Sequence, residues 1–198
     1  MAAAGSSDGL QPIGPGTVVL VVGPSGAGKD SVISGVRAEC EGSDSRLVFP
    51  ARIITRSSHE TELHRPASQI DFDAGLANGD FALSWRAHGL SYAISSDIDH
   101  DVLAGRTVII NTSRGVVAAA RKRYVHVRVV LVDAPYTIRA NRLAARGRET
   151  RADVERRLSR AVAFEPGNAD LVIDNGGDLS GSVAEFCRWL HEQALLTR

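Results

Sequence analysis

Residues 17–22 read TVVLVV and stop at Gly23. An unbroken apolar run of this kind needs cover on both faces, which the interior of a parallel sheet provides. It is followed by Gly23-Pro24-Ser25-Gly26-Ala27-Gly28-Lys29-Asp30-Ser31, then by an amphipathic stretch to about Glu41 with Val32, Val36 and Cys40 on one face. A buried strand, a glycine-rich turn and a helix in that order predict an α/β fold. The rest of the chain keeps the alternation. Strands are predicted at 47–54, 81–85, 91–95, 107–111, 127–132 and 171–173. Helices are predicted at 71–78, 98–104, 114–124, 136–146, 150–164 and 179–196, with 55–67 irregular. The expected architecture is a parallel sheet with helices on both faces.

Composition narrows the class. A chain of 198 residues is about one domain long, and we expect a single domain over 17–198 after a flexible tail at 1–16. That tail is rich in Ala, Gly, Ser and Pro, without the basic start and apolar stretch of a signal peptide. No apolar run reaches the ~18 residues of a spanning helix, so a cytoplasmic protein is expected. Lys plus Arg and Asp plus Glu cancel at 23 each, which argues against nucleic-acid or membrane-surface partners. Cys40 and Cys187, both in apolar helical contexts, read as buried free thiols.

The loop at 23–29 fits G-x-x-x-x-G-K between a strand and a helix, the context such a match requires. Its glycines let backbone N–H groups wrap a polyphosphate. The helix start adds unpaired N–H groups and a positive dipole end, and Lys29 adds a full charge. A bare strand-to-helix turn is the alternative. The next position departs from the motif: Asp30 replaces the usual hydroxyl, followed by Ser31 about 100° further round the helix. Asp30 is either a Mg²⁺ ligand, since that ion favours carboxylate and phosphate oxygens, or a helix cap.

Nearly all the positive charge is arginine, Lys29 and Lys122 being the only lysines. Arg139, Arg142 and Arg146 share one helix face. Arg148 follows Gly147, and Arg157 and Arg160 lie on the next predicted helix. A lid over about 142–157 that lays guanidinium groups on a transferring phosphoryl is one reading. A solvated cationic face is the other.

The segments GPSGAGKDS, Ile54-Thr55-Arg56, RLAARGRE (142–149) and RRLSRA (156–161) resemble the guanylate-kinase-like phosphokinases over 17 to about 178. Within that group GKDS, FALSWRAHGLSYA (81–93) and INTSRG (110–115) are similar to the ribose 1,5-bisphosphate phosphokinases of bacterial phosphonate catabolism. The resemblance implies a P-loop fold with a small acceptor-binding insertion at about 52–95, and ATP with Mg²⁺ as co-substrate. It implies transfer to the 1-phosphate of ribose 1,5-bisphosphate, giving 5-phosphoribosyl 1-diphosphate and ADP. Lys29, Arg142, Arg146 and Arg157 would serve the transferring group. Residues 23–31 and Arg148 would hold the nucleotide. Asn175 would lie near the adenine, or belong to a plain turn. Arg56 would hold the acceptor, and Tyr92 either contacts its phosphate or packs in the core. Guanylate kinases read guanine with two carboxylates; here Ser84 stands near one position and IINTS (109–113) carries none. A guanine edge wants such acceptors, so the chain reads as having a phosphate clamp without a base pocket. A guanylate kinase and a non-catalytic module of the same fold are the competing readings. Oligomeric state is not encoded in any of these features.

Overall fold

The computed structural model describes residues 11–40, 46–56, 64–87, 89–145 and 166–196. The apolar run lies at the centre of a five-stranded parallel sheet. There β1 (Ile13–Val22) is flanked by β7 (Thr107–Asn111) and β8 (Tyr124–Asp133). Outside them lie β2 (Leu47–Val48) and β9 (Leu171–Asp174). Side chains alternate across the sheet. Val19 and Val21, with Ile109, Val130, Val132 and Ile173, face α1 (Lys29–Cys40) and α6 (Leu179–Leu196) through Val32, Val36, Val183 and Phe186. Val18, Leu20 and Val22, with Val108, Ile110, Val129 and Leu131, face α3 (Ile98–Leu103) and α4 (Val117–Arg123) through Ile98, Val102, Val117 and Ala120. Both faces of β1 are sealed, as its composition demands. Cys40 and Cys187 are buried free thiols between α1 and α6, their sulfurs 3.4 Å apart.

A second, four-stranded sheet carries the insertion, in the order β4 (His64–Pro66), β3 (Arg52–Ile54), β6 (Leu90–Ser95), β5 (Phe81–Ala87). Its β3 and β4 are parallel and the other pairs antiparallel. Here α2 (Gln69–Asn78) is capped by Ser68, whose Oγ accepts from the Asp71 N–H at 3.0 Å, and is closed by Gly79 at φ 78°. Phe72 meets Phe81 at 5.0 Å between ring centroids and pins α2 against β5. Leu83 and Ile94 pack into the core beneath the large sheet, joining the two layers.

Four expectations change. The first strand begins at Ile13, not at residue 17, because Ile13 pairs with Tyr124 on the neighbouring strand, so residues 13–16 belong to the sheet and not to a tail. The strand expected at 47–54 is two strands in different sheets, β2 and β3, separated at Pro50, which can donate no ladder hydrogen bond. The stretch expected to be irregular contains β4. The helix expected at 114–124 opens with a 3-10 turn at Arg114–Val116 before α4. The expected helix at 150–164 lies outside the described residues. Among those described, no helix is long and apolar enough to cross a membrane.

Phe186 is fully buried where α6 meets α1 and the sheet. Phe186→Ala should cost about 3–5 kcal/mol of unfolding free energy, from the lost transfer term plus the cavity. Chemical denaturation of the two proteins measures it.

Candidate active site

The order β7-β1-β8 places the loop after β1 where connections depart to both sides of the sheet, a crevice at the carboxyl ends of the strands. Residues 23–28 turn the chain there under tight constraint. Gly23 has φ 149°, and a Cβ on it would fall 1.9 Å from the Val132 carbonyl oxygen. Gly28 has φ 88°, and its Cβ would fall 2.3 Å from Asn175 Nδ2. Side chains are excluded at both points by backbone conformation and by lack of space. The Lys29 ammonium lies back over the loop, donating to the carbonyls of Gly23 at 2.8 Å and Pro24 at 3.1 Å. The first turn of α1 presents N–H groups that have no intrahelical acceptor. Loop, helix start and lysine together form a cradle for a polyphosphate.

Two side chains brace the loop. Asn175, only 1 % exposed, donates from Nδ2 to Ala27 O at 2.8 Å and accepts at Oδ1 from Ser182 Oγ at 3.0 Å. Its amide thus ties the loop to the start of α6 and acts as a strut under the loop. Arg142, on α5 (Tyr136–Ala145), also donates to Ala27 O, at 3.4 Å, which brings one expected arginine to the cradle. Arg139 instead turns back, donating to Ala134 O at 3.0 Å, its guanidinium 5.8 Å from the Tyr136 ring centroid. Arg114, which sequence reasoning passed over, follows β7 and is held below its ordinary pKa by burial and by Arg139, with Asp133 opposing. Arg146, Arg148 and Arg157, with most of the expected lid, lie outside the described residues.

The acceptor side joins the loop through Asp30. Its Oδ1 accepts from Arg52 at 2.9 Å and from Asn111 Nδ2 at 2.6 Å, tying α1 to β3 and β7. Burial pushes the Asp30 carboxyl up, but the Arg52 charge, the Asn111 amide and the Lys29 charge outweigh it and hold the group below 3.8. The same Arg52 nitrogen that meets Asp30 lies 2.6 Å from His64 Nε2. Arginine can only donate, so that ring nitrogen is the acceptor and the imidazole is neutral. Two further atoms at the end of β7, Asn111 Oδ1 and Thr112 Oγ1, are buried without a protein hydrogen-bond partner among the described residues; internal water is the usual occupant of such positions. Arg56 is exposed just beyond β3. Tyr92 is half-buried on β6 and stacks on Trp85 at 5.4 Å with the rings 7° apart. Ser31 is exposed on α1, and Ser84 is exposed on β5.

No protein-family model matches the chain. Proteins named ribose 1,5-bisphosphate phosphokinase PhnN do: that of Bradyrhizobium diazoefficiens is 47 % identical over 182 residues, covering 92 % of this chain and 91 % of the relative. That of Brucella melitensis is 42 % identical over 92 % and 95 % of the two chains. The chain belongs to the ribose 1,5-bisphosphate phosphokinase family. The fold of this family member agrees with a solved guanylate kinase from Anaplasma phagocytophilum at a TM-score of 0.67 and 15 % identity, over 91 % of this chain and 88 % of that one. An unliganded sugar kinase from Janibacter sp. matches at 0.53 and 21 %, over 89 % and 95 %. The guanylate-kinase-like fold and the kinase class expected from the loop motifs are therefore established. In this phosphokinase the network missed by sequence reasoning is Asn111–Asp30–Arg52–His64. Its members lie 22, 12 and 81 residues apart along the contacts, and only the odd Asp30 hinted at it.

His64 sits below the ordinary 6.5 because of burial and the Arg52 charge, with Asp30 opposing and Arg56 adding to the depression. Folding thus favours its neutral form. The stability this contributes is complete above pH 6.5 and is lost as pH falls through the folded-state value. An NMR titration of the ring proton should give a midpoint under 6.5. The acid-side decline in Tm should be shallower in His64→Gln.

Proposed function

We propose that this chain transfers the γ-phosphoryl of ATP to the 1-phosphate of ribose 1,5-bisphosphate, giving 5-phosphoribosyl 1-diphosphate and ADP in the breakdown of phosphonates. The observation that carries this reading is the polar character of the acceptor side. Asn111, Thr112 and Ser84 stand where a purine reader needs carboxylates, while Arg52 and Arg56 supply cations close by. Leaving the guanine donors unpaired would cost about 1–3 kcal/mol each, whereas a sugar bisphosphate makes no such demand. The relatives' name agrees with that chemistry.

A phosphate monoester is already largely ionised at neutral pH, so its oxygen attacks without a general base. The protein's task is alignment and charge neutralisation. The loop at 23–31 holds the ATP phosphates and Lys29 exchanges its loop carbonyls for β- and γ-oxygens. Arg142, which donates to the loop at Ala27 O, would serve the transferring group, as the family resemblance implies for Arg146 and Arg157 as well, with Arg148 on the nucleotide. Mg²⁺, when bound with ATP, would supply positive charge against the phosphates, and Asp30 would be the carboxylate on hand to hold it. Among the described residues no group of three or more His, Cys, Asp or Glu side chains could hold a metal ion. The same reading, with ATP as donor, places the protein in the cytoplasm.

Two measurements test the reading. Purified protein given ATP should convert ribose 1,5-bisphosphate to 5-phosphoribosyl 1-diphosphate, seen as a new diphosphate ester by ³¹P NMR, and should turn over GMP poorly. Efficient use of GMP with indifference to the pentose bisphosphate would overturn it. Lys29→Ala should lower kcat about a hundred- to a thousandfold, the usual loss when one charge-stabilising donor is removed.

A further inference from the structure

We infer that Arg52 grips a phosphate of the acceptor and that Asp30 is the positioning residue that aims it. The inference rests on the phosphotransfer reading above and adds a residue pair to it. Arg52 belongs to β3 of the small sheet, whereas Asp30 directly follows the loop lysine on α1. Their 2.9 Å ion pair holds a guanidinium against the first turn of α1, beside the phosphate loop.

Three features fit an anion clamp better than a structural tie. First, both of the guanidinium's hydrogen bonds, to Asp30 and to His64, use the same terminal nitrogen. The other terminal nitrogen and Nε make no hydrogen bond among the described residues, and neither is sealed from solvent. They form the edge that matches two oxygens of a phosphate. Secondly, the side chain is only 12 % exposed, so its plane is fixed before any ligand arrives. Thirdly, its charge is only partly compensated. One carboxylate faces it, Asn111 shares that carboxylate, and His64 is a neutral acceptor. The arrangement also explains why Asp30 stands where the motif has a hydroxyl. A serine or threonine oxygen is one bond shorter and carries no charge with which to hold an arginine.

The test uses the full chain and steady-state kinetics with each substrate varied in turn. Wild-type protein is assayed with ribose 1,5-bisphosphate and with GMP, and whichever ester it phosphorylates serves as acceptor for the variants. A preference for GMP would thus defeat the assigned reaction and still leave the clamp measurable. Arg52→Gln should raise acceptor KM about ten- to a hundredfold, the loss expected for hydrogen bonds to a charged group, while ATP KM stays within about twofold. Arg52→Lys should fall between, keeping charge and losing the paired geometry. Asp30→Asn should raise acceptor KM in the same sense, and Asp30→Asn with Arg52→Gln should be no worse than Arg52→Gln alone. Binding of a fluorescent ADP analogue and the melting temperature report that each variant is folded. An unchanged acceptor KM in folded Arg52→Gln would overturn the proposal. So would Asp30→Asn altering only the Mg²⁺ requirement.

Discussion

A strand covered by helices on both faces can meet solvent only at its ends, and that confinement organises this molecule. With Val18 to Val22 wholly enclosed, the chain must turn at Gly23 inside a space already walled by the Val132 carbonyl. The turn has no room for a Cβ at Gly23 or Gly28. A polyphosphate cradle is therefore a consequence of how the sheet is buried. Asn175 and Arg142 complete the confinement by holding Ala27 O.

The same economy extends to the acceptor side. A carboxylate next to a triphosphate site is repulsive unless cations surround it, and Asp30 has Arg52, Lys29 and the Asn111 amide about it. Its ionised form is thereby secured well into the acid range, and the repulsion becomes a means of fixing an arginine. The small sheet, which otherwise meets the large one through Leu83 and Ile94, gains a polar anchor at the catalytic edge. One carboxylate oxygen thus takes a hydrogen bond from the small sheet through Arg52 and another from the large sheet through Asn111, linking both to the start of α1.

Much of this was legible from the residues alone. The alternation of apolar runs located the large sheet and most helices, because strands buried on both faces leave an unambiguous pattern. The phosphate loop was equally plain, since its glycines and lysine are contiguous. The break at Pro50 was obscured because apolar residues continue on both sides of it, and only pairing partners reveal that they enter different sheets. β4 was invisible because His64-Arg65-Pro66 has no strand composition; it exists through pairing with β3. Asn175 read as a turn or a ligand contact, and its burial is a tertiary fact. The Asn111–Asp30–Arg52–His64 chain could not be assembled from spacing, since four separate elements contribute to it.

The ammonium of Lys29 has a further thermodynamic implication. Resting on the Gly23 and Pro24 carbonyls, the side chain has already surrendered most of its rotamer freedom, which for lysine amounts to about 1.5–2 kcal/mol. Nucleotide capture then swaps one set of oxygen partners for another and freezes little that was loose. Affinity for ATP should accordingly owe more to enthalpy of contact than is usual for a flexible lysine.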